Sequence, residues 1–288
     1  MSELITADWQ IQRNGYLLGD GTDFDIVSIQ GLAGAPATRP SDRSLSRRHG
    51  AIAGEDYLGT RAVTLGFDVV ADSASTLGAK LDTLARAFAP SVDQVPTFFR
   101  VPGVGGGDIV QAEMHVRQRS VPVTTEFARG VARCQFQLAA ADPRLYSSTL
   151  KTDQVSATEA TTVGLTFSAT FDLSFGGAIN PGAVETVNAG TFAAPLTFRV
   201  YGPVTDPVVT RSSDGAQMSF TTTVADGSYL EVNGQNRTVL LNGVTNNYST
   251  LDVGSMWLDV PAGTDELRLT RTGSDAATLA VYYRDTYV

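Results

Sequence analysis

The side chains that could carry out acid–base or metal chemistry are few. The sequence contains two histidines, His49 and His115, and one cysteine, Cys134. Histidine is the residue of choice for proton transfer and metal ligation near neutral pH. His49, however, stands beside Arg47 and Arg48 in a Gly/Ala/Ser/Pro-rich stretch, and His115 falls on the polar side of an alternating segment. Both are expected to be exposed or interface residues, not bases or ligands. Cys134 shares its alternation with Phe136 and Leu138, which predicts a small buried hydrophobe and not a nucleophile. No Cys/His cluster has zinc-ligand spacing, so neither a metal nor any cofactor is expected.

Other motifs weaken on inspection. Gly103-Val104-Gly105-Gly106-Gly107 resembles a phosphate cradle, but no Lys-Ser/Thr follows it and no helix opens there, so a turn is expected. Asp214, Asp226 and Asp265 could serve a glycosidase only as a pair facing across a groove, and their turn-like contexts explain them through local backbone hydrogen bonding. The sequons at Asn236 and Asn247 carry no meaning without an export signal, and the opening MSELITADWQ has none of the basic-then-apolar pattern of one. We therefore expect a non-enzymatic protein folded in a reducing cytoplasm. One basic cluster stands out: Arg39, Arg43, Arg47 and Arg48, with Asp42 the lone acid among them. Arginine pairs bidentately with carboxylate as readily as with phosphate. Of 288 residues, 30 are acidic and 21 basic, a net charge of −9, which makes nucleic acid and anionic lipid poor partners. Contact with the acidic surface of another copy is favoured over contact with DNA.

The elements around these residues are mostly strands. Val63, Leu65, Phe67 and Val69 alternate with polar or small residues over 61–70, as do Val110, Ala112, Met114 and Val116, and Ala132, Cys134, Phe136 and Leu138. Such alternation predicts an antiparallel sheet with one wet face. Between the first two, Leu77, Leu81, Leu84 and Phe88 recur at helical spacing behind a cap at Asp72 or Ser73, predicting a helix over about 73–89 that Pro90 ends. Residues 31–57 lack large apolar anchors and read as a long loop or arm, a length that implies function in a compact domain.

A polar stretch after Tyr146 marks a domain boundary near Lys151. Residues 1–150 carry 14 basic and 16 acidic side chains, a net of −2, whereas 151–288 carry 7 and 14, a net of −7. The second half alternates at Leu165–Leu173, at Leu196, Phe198 and Val200, and at Leu267, Leu269, Leu279 and Val281. Hairpin dipeptides recur at Asp214-Gly215, Asp226-Gly227, Asn233-Gly234 and Asn242-Gly243. Many short strands with such punctuation predict a β-sandwich. No apolar run approaches the ~20 residues of a membrane helix.

The ordered set of motifs resembles the distal tail protein family, also called minor tail proteins, of long non-contractile-tailed (siphovirus-type) bacteriophages, particularly those of actinobacteria. It comprises Trp9 to Gly19 (WQIQRNGYLLG), Arg43, Arg48-His49-Gly50, Gly54 to Tyr57 (GEDY) and Arg61. It continues with Ala87 to Pro90 (AFAP), Phe136 to Tyr146 (FQLAAADPRLY), Asn188 to Thr191 with Pro195, Gly202-Pro203, Trp257 to Gly263 (WLDVPAG) and Tyr282-Tyr283-Arg284. The resemblance implies a mainly β protein. Residues 1–150 would be a tail-tube-like β-sandwich with one α-helix and the arm 31–57, and 151–288 a galectin-like or carbohydrate-module-like β-sandwich. It further implies a structural virion component of the tail tip, a homo-hexameric ring joining the tail tube protein to the tip hub protein, with the tape measure protein as a further neighbour. Arg39, Arg43, Arg47 and Arg48 would then make ion pairs between subunits. Two other classes of function compete: a receptor- or carbohydrate-binding module at the tip, for which Tyr229, Tyr248 and Trp257 could form an aromatic platform, and a tail-associated glycan hydrolase.

Overall fold

The computed structural model describes residues 4–157, 182–272 and 276–288, and the expected strand at Leu165–Leu173 lies outside them. The chain divides into two compact units, 1–148 together with Thr286–Val288, and Thr149–Asp285. Both are mainly β, as expected from the alternation.

In the first unit two sheets share one strand. Tyr16–Gly19, Gln10–Arg13, Val95–Arg100 and the first half of Val110–Ser120 pair in that order, and Leu145–Ser147 with Thr286–Tyr287 extend the sheet beyond Val110–Gln111. The second half of Val110–Ser120 pairs instead with Val131–Ala140, which continues through Arg61–Val70 to Phe24–Gln30. The shared strand changes partners between Met114 and His115, and its register on Val131–Ala140 then slips between Val116 and Gln118, the local bend that an extra residue imposes. The simple alternation expected through Arg117 therefore breaks there.

The helix Ala74–Ala87 starts at Ser73, whose Oγ accepts the Thr76 amide at 3.2 Å and satisfies one of the orphan first-turn donors. It buries Leu77, Leu84 and Ala87, with Phe88 just past its end, in the same core as the strand side chains Phe67 and Phe136. Phe88 stacks on Phe136 with centroids 4.2 Å apart, and Phe67 meets both at 5.8 Å. Truncating Phe136 to alanine removes the ring both neighbours touch. We expect a loss of about 3–5 kcal/mol, read as a fall in the denaturant midpoint with the slope unchanged.

The second unit is a sandwich of two antiparallel sheets. One orders Lys151–Ala157, Ala277–Tyr283, Thr197–Tyr201, Tyr229–Asn233, Thr238–Leu241 and Thr245–Asn246. The other orders Gly182–Asn188, Gly263–Thr272, Val204–Arg211 and Gln217–Ser219, with Thr223–Val224 also on Val204–Arg211. Phe198, Val200, Leu230, Leu279 and Val281 from the first pack against Val209, Met218, Leu267 and Leu269 from the second. Asn242-Gly243 makes the tight turn its dipeptide signals, with φ of 53° and 71°. Asn233-Gly234 does not. The positive φ of that hairpin falls on Arg237, and Gly234 is needed for another reason, since a Cβ there would lie 2.8 Å from the Leu196 carbonyl oxygen.

Candidate assembly surface

The arm begins where Gly31, with φ of 80°, turns the chain away from the edge strand Phe24–Gln30. A Cβ at Gly31 would lie 2.1 Å from the Ala62 carbonyl oxygen, so the chain can leave the sheet this closely only with glycine. Leu32 reaches back into the core. Beyond it, every residue from Ala37 to Tyr57 is exposed. The expected loop is a hairpin: Thr38–Arg39 pairs with Tyr57–Leu58, and Arg43–Ser44 with Ala51–Ile52. Between the two ladders, Ser41 Oγ donates to the Glu55 carbonyl at 2.6 Å and Asp42 accepts the Gly54 amide at 2.9 Å. At the tip, Leu45 N–H donates to the Gly50 carbonyl at 3.3 Å.

The root of the arm is held by a residue whose part was invisible in the sequence. Arg61, the first residue of its strand, is 1% exposed. Its Nη1 donates to the carbonyls of Gly31, Leu32 and Gly34 at 3.0, 2.8 and 2.7 Å, and its Nε to the Pro143 carbonyl at 2.6 Å. Burial, which disfavours the charged form, lowers its pKa from the usual arginine range. One guanidinium thus ties the arm's first turn to the Asp142-Pro143 segment that closes the unit's last long strand.

Arg39 sits opposite Tyr57, Arg43 opposite Ile52, and Arg47 and Arg48 at the tip. None of the four makes a side-chain hydrogen bond or ion pair among the described residues. The same hairpin exposes Leu45 by 37%, Ile52 by 58% and Tyr57 by 54%. Two-residue ladders standing alone are marginal in water. The arm therefore combines poor self-support with unspent cations and uncovered apolar side chains.

The aromatic residues Tyr229, Tyr248 and Trp257 fall in two separate groups. Tyr248 lies beside Trp257 with centroids 6.3 Å apart, whereas Tyr229 packs on Tyr201 at 5.4 Å; no ring contact joins the two groups among the described residues. The polar residues with catalytic potential remain dispersed. Among the described residues no three of His, Cys, Asp and Glu gather as a metal site. His49 is exposed and His115 half-buried opposite Ala139. A recess of about 160 Å³ on the first unit is lined by Thr64, Gln118, Ser120, Gln135 and Gln137, amides and hydroxyls without a titratable group. Asp214 is bound to Arg211 and the Ala216 amide, which hold its carboxyl down at about 2. Asp265, expected in a turn, instead lies in the strand Gly263–Thr272 and accepts from the amide and hydroxyl of Ser213.

Cys134 is 3% exposed, and burial, aided by Asp68, pushes its thiol up to about 11. The charged form is the one disfavoured, so the thiolate fraction at pH 8 is on the order of 10⁻³. An alkylating reagent should leave the native protein unmodified at pH 8 and label it readily once unfolded; fast native labelling would contradict the burial.

These features define the class: a chain of two mainly β units whose conspicuous surface is the exposed arm of residues 37–57. Residues 189–287 match the family model for the siphovirus-type tail component, C-terminal domain. The crystal structure of phage SPP1 Dit (gp 19.1), described as a paradigm of the hub adsorption apparatus in Gram-positive-infecting phages, matches with a TM-score of 0.66 at 12% identity, covering 97% of this chain and 99% of that one. Chains of the phage P2 baseplate in its activated conformation, solved with Ca and with Sr, match with TM-scores of 0.45 at 8% and 10% identity; each covers 94% of this chain, and 97% and 96% of those chains. No curated protein matches the sequence. The resemblance to the siphovirus distal tail proteins is thus borne out: the second unit matches their tail-component domain, and the whole chain has the Dit fold.

Proposed function

We propose that the protein is a non-enzymatic ring component, six copies closing head-to-tail at the end of the tail tube and joining the tube protein to the tip hub, with the tape measure protein as a further neighbour. It is made in the host cytoplasm and acts in the virion tail tip. The observation that carries this reading is the wholly exposed hairpin of residues 37–57, which presents four arginines without partners among the described residues. A closed ring needs a heterologous contact in which one surface of each copy meets a different surface of the next. The hairpin supplies one side of that contact, and its cations suit carboxylates among the 16 acidic residues of the neighbour's residues 1–150. Arg39, Arg43, Arg47 and Arg48 form the inter-subunit ion pairs, and residues 1–150 form the ring. Negative-stain microscopy of the purified full chain tests the reading: closed six-membered rings are expected, and particles that remain solitary at micromolar concentration and after tail assembly would overturn it.

A further inference from the structure

We propose that Ser46, at the tip of the arm, is the phosphoacceptor of an arginine-directed serine kinase, and that its phosphorylation withholds unassembled chains from the ring. The tip reads Arg43-Ser44-Leu45-Ser46-Arg47-Arg48. An arginine three residues before a serine is a charge pattern that a kinase with an acidic substrate groove selects, because guanidinium and carboxylate pair bidentately. Arg43 holds that position for Ser46, and its side chain makes no hydrogen bond or ion pair among the described residues.

The hairpin separates the three serines of this stretch. Ser41 Oγ is engaged by the Glu55 carbonyl at 2.6 Å, and Thr38, not an arginine, stands three residues before it. Ser44 is held in the ladder opposite Ala51, with Ser41 three residues before it. Ser46 lies past the last ladder pair, is exposed, and its hydroxyl has no hydrogen-bond partner among the described residues. To enter a kinase cleft the tip must leave its hairpin, and the Arg43–Ser44 ladder on Ala51–Ile52 is short enough to open at little cost.

In the step itself the Ser46 hydroxyl oxygen attacks the γ-phosphorus of a nucleoside triphosphate. The bond from that phosphorus to the bridging oxygen breaks, the nucleoside diphosphate leaves, and the serine proton passes to a carboxylate of the kinase. The product carries about −1.5 to −2 charge at pH 7. Arg43, Arg47 and Arg48 all lie within three residues of it, so the phosphate draws its countercharges from its own arm. The arginines that would reach a neighbour's carboxylates are then occupied. This consequence rests on the ring reading, whereas the modification does not.

The purified full chain is incubated with ATP, Mg²⁺ and the catalytic domain of protein kinase C as the arginine-directed probe, with casein kinase 2 as the acid-directed control. One added phosphate in the intact mass is expected with the first kinase only, mapped to Ser46 by peptide fragmentation. Ser46→Ala should abolish it and Ser44→Ala leave it, while Arg43→Gln slows it about tenfold or more, as loss of one charge-assisted pair would. No phosphate on Ser46, or undiminished labelling of Arg43→Gln, would overturn the assignment. Negative-stain images of the phosphorylated chain should show monomers, with rings returning after phosphatase treatment. Rings that close equally well with Ser46 fully phosphorylated would overturn the withholding and leave the ring reading standing. Absence of rings from the unmodified chain would overturn both of those, and the mass spectrum would still decide the acceptor.

Discussion

Changing Arg39, Arg43, Arg47 and Arg48 together to glutamate should convert rings into folded monomers. All four lie on a hairpin whose residues are exposed from 37 to 57, so the folded unit loses no internal contact. Each exposed pair contributes only about 0.2–1 kcal/mol, but reversal replaces attraction with repulsion against an acidic neighbour. Four such changes weaken one joint by roughly 2–4 kcal/mol, about 30- to 1000-fold in association. A closed ring requires every joint at once, so the particle population responds more steeply than the single contact. Removing residues 39–48 should have the same outcome by a different route, taking Leu45 away with the arginines. The wild-type ring should also loosen as salt rises, because these charges are within reach of screening ions. Mass photometry and negative-stain images at matched concentrations check both variants, with circular dichroism as the test of folding. Intact rings in either variant would show that the joint is made elsewhere.

How much of this was readable beforehand depended on range. Val63 to Val69 and Ala132 to Leu138 were legible as half-buried strands because period-2 alternation is local, and the cap at Ser73 because its partner is three residues away. The register slip at Val116 to Gln118 was not, since a bulge keeps the residue types of a strand and alters only their register. The arm was visible as a segment without anchors, but its two short ladders pair residues such as Arg43 and Ile52 that carry no strand pattern. Arg61 stood among the motifs of the resemblance, but its clamping role left no signal because its partners among the described residues are backbone carbonyls, which every residue possesses. Tyr229, Tyr248 and Trp257 fall in two ring groups for a related reason. Tyr229 meets Tyr201 through a long-range register, and sequence spacing could not separate that partner from Tyr248 or Trp257.

The second large effect is expected at Arg61. Replacing it with methionine keeps much of the stem's packing and removes the donors that hold Gly31, Leu32, Gly34 and Pro143. Charged hydrogen bonds contribute about 1.5–3 kcal/mol each at best. Relief of a buried charge offsets part of that loss, and the carbonyls at the surface recover water, so the net is about 2–4 kcal/mol. For a unit of this size the melting temperature should fall by roughly 5–15 °C. The more telling consequence lies in assembly: without the clamp the arm's first turn is no longer set against the Asp142-Pro143 segment, and the hairpin samples directions in which its arginines miss the neighbour. Ring formation should therefore fail at temperatures where the unit is still folded. Arg61→Lys should fail as well, because an ammonium is a point donor that cannot span carbonyls on two separate segments as a planar fork does. The control is Phe136→Ala, which costs as much stability from within the core but leaves the arm's root untouched. If Phe136→Ala assembles and Arg61→Met does not, Arg61 acts by aiming the arm. Equal assembly of the two at equal residual stability would reduce it to one more buried contact.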